Sequence, residues 1–167
     1  MPRVILIGPP GSGKSTVGKA LAKALAVEFI DSDKVVENTV GKKISEIFID
    51  QGEAIFRDLE FDAMTSSLTH SSSVLSLGGG APISTRAQGA LSATGIPIVF
   101  LDVSLAVAAP RVGFNRDRPL LLGNPRTQWQ SLYQMRRPIY EKLATITIKV
   151  DTKRIDQIVK EIAAAIK

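Results

Sequence analysis

Gly8, Gly13, Lys14 and Ser15 stand in the spacing G-x-x-x-x-G-K-S within GPPGSGKST, residues 8–16. Glycines in such a segment let backbone N–H groups turn inward around phosphate oxygens. A helix starting directly after it adds its positive dipole end. Lys14 is placed to reach the β- and γ-phosphates, and the Ser15 hydroxyl is a ligand for Mg²⁺. The expected occupant is a nucleoside triphosphate, ATP with Mg²⁺, contacted by Gly11, Ser12, Gly13, Lys14, Ser15 and Thr16.

A phosphoryl acceptor needs a second set of groups, because transfer is mostly positioning and charge neutralisation. Asp31 and Asp33 straddle Ser32 at the end of an apolar run. In extended geometry residues two apart point the same way. One carboxylate then supports the metal and the other accepts a hydrogen bond from the acceptor hydroxyl. The competing reading is an Asp-rich turn in which Asp33 caps the next helix. Arg57 has Glu60 three residues on, close enough to orient its guanidinium toward a substrate carboxylate. A surface ion pair explains the same spacing. Gly78, Gly79 and Gly80 end another apolar run and allow close backbone approach to a ligand. Ser76, just before them, is a candidate for the outer shell of the metal.

Arginine is concentrated late in the chain. Between Val103 and Tyr140 stand six arginines (111, 116, 118, 126, 136 and 137), no lysine and one acid, Asp117. Planar, forked guanidinium groups suit phosphate and carboxylate oxygens. The irregular stretch Phe114–Pro125, with Arg116 and Arg118, reads as a basic lid that brings an arginine to the transferring phosphate. Arg111 precedes it and is placed to cover the adenine. Arg136 is a second candidate for an acidic substrate group. His70, the only histidine, reads as solvated. Phe48 and Phe56 read as core or as an acceptor-pocket wall, and Trp129 as packing.

The elements that must position these groups alternate. Short apolar strands are expected at Val4–Ile7, Val27–Ile30, Ser73–Leu77, Ile96–Leu101 and Thr145–Val150. Helical patterns cover Lys14–Ala26, Lys34–Thr39, Ser45–Asp50, Glu53–Leu68, Ser84–Ala93, Leu105–Val112, Gln128–Lys142 and Ile155–Ile166, with Pro110 marking a kink or an early end. Such alternation predicts a parallel sheet covered on both faces, with ligands at the carboxyl ends of its strands. The phosphate segment, the Asp31/Asp33 pair and the glycine triplet all fall at those ends.

The totals narrow the class. A chain of 167 residues, 44% hydrophobic and 22% charged, suits one ordinary globular domain. Without cysteine it has neither disulfides nor thiolate metal sites. No apolar run approaches the ~18 residues of a membrane span, and the N-terminus does not read as a signal peptide. A cytoplasmic monomer is expected. The net charge of +5 is focused in the arginine stretch, which favours small anions over nucleic acid.

Taken together, GPPGSGKST at 8–16, DSD at 31–33, GEAIFRDLE at 52–60, LGGG at 77–80, RPLL at 118–121 and RRPIY at 136–140 resemble the shikimate kinase family, in order and across nearly the whole chain. The resemblance implies a three-layer α/β/α P-loop NTPase fold like that of nucleoside monophosphate kinases, with a five-stranded parallel sheet in the order 2-3-1-4-5. It implies one kinase domain over 1–167, with a shikimate-binding segment at about 31–61 and a mobile lid at about 112–125. The implied reaction moves the ATP γ-phosphate to the 3-hydroxyl of shikimate, in aromatic amino-acid biosynthesis. By position, Asp33, Arg57, Gly79, Gly80 and Arg136 are similar to the shikimate contacts, Asp33 being the base and the two arginines the carboxylate clamp. Arg118 resembles the lid arginine, which makes Lys14, Asp33 and Arg118 the catalytic set. Ser15 and, through water, Asp31 resemble the Mg²⁺ ligands. Arg111 and the loop from Thr152 to Arg154, with Lys153, resemble the adenine-binding residues. Two departures stand out: Arg116 adds a second arginine to the lid, and the adenine segment lacks a proline that the family often has. A gluconate kinase is the nearest alternative, an adenylate kinase shares the fold, and a nucleotide-dependent switch is the different class.

Overall fold

Four consecutive apolar side chains, Val4 to Ile7, are each wholly buried, as a strand covered on both faces requires. A computed structural model describes residues 1–112 and 124–167 of the chain. It makes this segment β1, Val4–Ile7, the middle strand of the sheet. With β2 (Glu28–Asp31), β3 (Ser73–Ser76), β4 (Ile98–Asp102) and β5 (Ile146–Lys149) it forms a sheet of order β2-β3-β1-β4-β5. Every pairing is parallel, with Ile5 opposite Leu75 on one side and Ile98 on the other. The expected strand number, order and direction all hold. Burial falls toward the edge: β5 alternates a buried Ile148 with exposed Thr147 and Lys149.

The helices are α1 (Lys14–Leu25), α2 (Ser32–Val40), α3 (Ile44–Leu68), α4 (Thr85–Ser92), α5 (Leu105–Val112), α6 (Pro125–Leu143) and α7 (Ile155–Ala165). α1 packs on α7, and α6 packs on α4, α5 and β4, so the sheet is covered on both sides. The main core runs through these layers. A smaller core of Val36, Ile47, Phe56 and Ala63 lies between α2 and α3, beyond the sheet. Phe48 and Phe56 belong there, ring centroids 4.7 Å apart, which settles Phe56 as core. α3 contains Gly52 at φ 85° and ψ 171°, the break expected between the Ser45–Asp50 and Glu53–Leu68 patterns.

Two helices start earlier than expected, each for a local reason. α2 starts at Ser32, not Lys34, because the Asp31 carboxylate accepts a hydrogen bond from the Asp33 N–H and caps it. Asp31 and Asp33 are therefore not two residues of one extended stretch: one ends a strand and the other lies in the first turn of a helix. α6 starts at Pro125, not Gln128, with Asn124 as its cap and proline at the first position. α5 has the expected bounds, Leu105–Val112, and does not end early at Pro110. The expected lid, including Arg116 and Arg118, falls almost wholly on residues 113–123, outside the described residues.

Candidate active site

The phosphate segment leaves β1 and enters α1 through Gly13, which caps the helix in the left-handed region at φ 92°. Lys14 Nζ donates to the Gly8 carbonyl at 2.8 Å and the Pro9 carbonyl at 3.0 Å, and lies 3.4 Å from Ser12 Oγ. The ammonium is thus held over the loop that would cradle phosphate. Ser15 Oγ donates to Asp31 Oδ2 at 3.3 Å, joining the start of α1 to the end of β2. The Arg111 guanidinium reaches across from α5 and donates to the Gly11 carbonyl at 2.9 Å. A cavity of about 190 Å³ opens between Lys14, Ser15, Asp31, Asp33, Gly79 and Arg111, and Gly11, Gly13 and Thr16 also line it. Ser12 is buried beneath the loop.

The glycine triplet is where the acceptor groups meet. A methyl group at Gly78 would stand 2.5 Å from Asp33 Oδ1. One at Gly79 would stand 3.1 Å from Pro10 Cδ and 3.5 Å from Arg136 Nη1. One at Gly80 would collide with Arg57 Nη1. Elements far apart in sequence, α2, α3 and α6, therefore deliver Asp33, Arg57 and Arg136 to three consecutive residues. The same triplet touches the phosphate loop through Pro10 and Gly8. Absence of a side chain here is what lets three charged groups come so close.

Arg57 is fixed by its own helix. Its Nη1 donates to Glu60 Oε1 at 2.8 Å and its guanidinium lies over the Phe56 ring. Glu60 is 4% exposed, so the pair is not a surface ion pair. Burial pushes the Glu60 carboxyl above the usual carboxylate range, and the charge and hydrogen bond of Arg57 oppose that shift. A cavity of about 360 Å³ opens beside this pair, lined by Arg57, Glu60, Gly80 and Arg136 with apolar Phe61 and Ile139. Two guanidinium groups and a glycine backbone beside an apolar wall have the chemistry to bind a small organic acid.

Of the other expected residues, Lys153 stands apart from the phosphate cavity and Ser76 stands in it. Lys153 pairs with Glu161 of α7 at 2.8 Å and does not line the phosphate cavity. His70 is exposed against the Glu28 carboxylate. Ser76 lines the phosphate cavity.

The sequence reading missed four residues. Ser32 Oγ accepts from the Gly78 N–H at 3.1 Å, tying α2 to the triplet. Trp129, expected only to pack, also donates from Nε1 to the Pro10 carbonyl at 2.8 Å. The Tyr140 hydroxyl donates to the Gly79 carbonyl at 2.6 Å. Arg137 grips the Asp102 carboxylate with both nitrogens, at 2.6 and 3.0 Å. The Asn124-Pro125 start of α6 was a readable sign that Trp129 stands one turn into a helix. Nothing local marks its partner.

Comparison with known proteins identifies one family. The family model described as shikimate kinase matches residues 10–167. A shikimate kinase of Salinispora arenicola is 49% identical over 98% of this chain and 96% of its own length. One of Thermobifida fusca is 42% identical, again over 98% of this chain and 96% of its own length. Among solved structures, shikimate kinase from Acinetobacter baumannii in complex with shikimate superposes with a TM-score of 0.94 at 32% identity, covering 99% of this chain and 93% of that one. A gluconokinase from Sinorhizobium meliloti reaches a TM-score of 0.65 at 20% identity, covering 98% and 90%, and shares the fold alone.

Proposed function

The chain belongs to the shikimate kinase family, and from that premise we propose how its own residues move the ATP γ-phosphate to the 3-hydroxyl of shikimate. The observation that carries this reading is the convergence of Asp33, Arg57 and Arg136 on Gly78–Gly80, beside the phosphate loop. Shikimate is a polyol with one carboxylate. Arg57 and Arg136 bind the carboxylate, and the backbone of Gly79 and Gly80 lies against the ring. Asp33 accepts the proton of the attacking hydroxyl. That oxygen bonds to the γ-phosphorus as the bond to the β–γ bridging oxygen breaks, giving shikimate 3-phosphate and ADP. Lys14 leaves the Gly8 and Pro9 carbonyls for the phosphate oxygens and stabilises their charge. The segment 31–61 is the acceptor-binding part of a single domain.

Mg²⁺ fits the residues present. Ser15 Oγ and Asp31 Oδ2, two hard oxygens in mutual contact, suit the ion at the mouth of the phosphate loop. Ser15 would hold it directly and Asp31 through water. Bound there, it would neutralise charge on the β- and γ-phosphates. Arg111 is assigned to the adenine side by its place at the rim of the loop. Arg118 is assigned to the transferring phosphate, and Lys153 to the adenine side, by the family resemblance alone.

Coupled measurement of ADP release tests the reading. Shikimate is expected to stimulate release strongly, while gluconate and AMP are not. Arg136→Ala is expected to raise the shikimate KM at least tenfold with the ATP KM within about twofold, the loss of one charge-assisted contact. An unchanged shikimate KM would remove Arg136 from the clamp.

A further inference from the structure

α6 carries more than one arm of the clamp. Four of its residues, Trp129, Tyr133, Arg137 and Tyr140, recur at spacings of four, four and three, one stripe along a helix. Two of them end on backbone carbonyls of the substrate floors: Trp129 on Pro10 and Tyr140 on Gly79. Those floors touch each other through Pro10 Cδ and Gly79.

Tyr140 is the member nearest the acceptor. It is wholly buried and packs against Phe100 with ring centroids 5.2 Å apart. Its hydroxyl donates to Gly79 O. Arg136, four residues earlier on the same face, lies with Nη1 beside Gly79, and its positive charge acts on that hydroxyl. The carbonyl that Tyr140 holds therefore belongs to the stretch of backbone beside which the Arg136 guanidinium stands. Glu60 and Arg57 are the other charged groups that act on the hydroxyl.

We propose that Tyr140 is a positioning residue for the acceptor: its hydroxyl sets the Gly79 carbonyl and, through that backbone, the surface beside which Arg136 presents its guanidinium to the substrate carboxylate. This rests on the reading of Arg136 as part of the clamp. Phenylalanine fills the same space and keeps the contact with Phe100, so Tyr140→Phe removes only the hydroxyl. The Gly79 carbonyl then lacks that donor, and the backbone beside Arg136 loses its anchor.

The test is a double-mutant cycle in shikimate and ATP kinetics with wild type, Tyr140→Phe, Arg136→Ala and the double variant. Tyr140→Phe is expected to raise the shikimate KM about five- to twentyfold, with the ATP KM within about twofold. In the Arg136→Ala background the same change is expected to add less than about twofold, because the arginine it directs is gone. An unchanged shikimate KM in Tyr140→Phe would overturn the proposal. So would full additivity with Arg136→Ala, or equal losses for ATP and shikimate, the pattern of a general packing defect. If Arg136→Ala itself leaves the shikimate KM unchanged, the clamp reading fails first, whatever Tyr140→Phe does. Ligand-induced shifts in melting temperature read the same split when the variant is less stable: the shift given by shikimate shrinks and that given by ADP stays.

Discussion

At the scale of single residues, the glycine triplet converts small side-chain changes into separable kinetic effects. Gly80 has no left-handed φ, so alanine is acceptable to its backbone. The new methyl group would instead meet the far end of the Arg57 side chain, with Cζ at 3.0 Å. A flexible guanidinium can retreat, so the fold survives while the clamp moves. Gly80→Ala is expected to raise the shikimate KM about tenfold or more, the worth of a charge-assisted contact, with the ATP KM within about twofold. Gly78→Ala displaces the Asp33 carboxylate, 2.5 Å from the added carbon, and is expected to lower kcat about a hundredfold or more, the lower range for a lost general base. Steady-state kinetics of the two variants checks both. A Gly80→Ala enzyme that loses ATP affinity instead would place Arg57 on the wrong substrate. This triplet was legible in sequence as a place of close approach. Its partners were legible as types, two arginines and an aspartate, but not as three groups meeting three consecutive residues.

At the scale of elements, α6 shows why some of the site was not legible. The alternation of strands and helices implied a parallel sheet and the family resemblance its strand order, and β1 and β4 needed only their apolar runs. Boundaries moved where a side chain acts on backbone: the Asp31 cap starts α2 early, and Asn124 with Pro125 starts α6 early. The contacts of α6 had no local signal at all. Trp129 meets Pro10 across 119 positions, Tyr140 meets Gly79 across 61, and Arg137 meets Asp102 across 35. No periodicity within a helix reveals which distant carbonyl or carboxylate its polar atoms will find. The Asp102 contact fastens the helix to the end of β4. Asp102 is 7% exposed and takes the Tyr133 hydroxyl as well as Arg137. Burial, then the hydrogen bond to Asp102, pushes the Tyr133 hydroxyl far above its usual range. Asp102→Ala leaves that buried hydroxyl without its acceptor. Arg137 is half-exposed, keeps Glu141 at 2.7 Å, and is solvated at little cost. The expected destabilisation is therefore about 1–3 kcal/mol, the range for one unsatisfied buried group, rather than the larger loss of a fully buried ion pair. Urea unfolding should show a lower midpoint with an unchanged slope. A midpoint equal to that of the wild type would mean that α6 is held by its apolar face alone.

At the scale of the whole molecule, two cores of unequal size share one site. The main core joins the sheet to the helices on both sides, and Asp31, Gly78 and Lys14 stand at its edge. The second core, Val36, Ile47, Phe56 and Ala63 with Phe48 against it, holds α2 to α3 and contains few apolar groups. α3 is interrupted at Gly52, so its first turns lack continuous helical support. Few buried apolar contacts define a unit that opens below the global unfolding free energy. Yet Asp33 and Arg57 sit on this unit, while Arg136 and the phosphate loop sit on the main one. Shikimate held between Arg57 and Arg136 would bridge the two, whereas a nucleotide on the phosphate loop alone would not. Ligand that binds only the closed arrangement stabilises it by mass action. Native-state hydrogen exchange is therefore expected to show the amides of α2 and of α3 before Met64 opening together, with a lower free energy than those of β1, β3 and β4, while Met64 and Leu68 hold the end of α3 in the main core. Saturating shikimate is expected to slow their exchange about a hundredfold at a concentration near 100 times its Kd, and ADP alone by less than about twofold. Protection in α2 and α3 equal to that of β1 in the free protein would show one cooperative unit. A slowing by ADP as large as that by shikimate would mean that the nucleotide, not the acid, closes the second core onto the first.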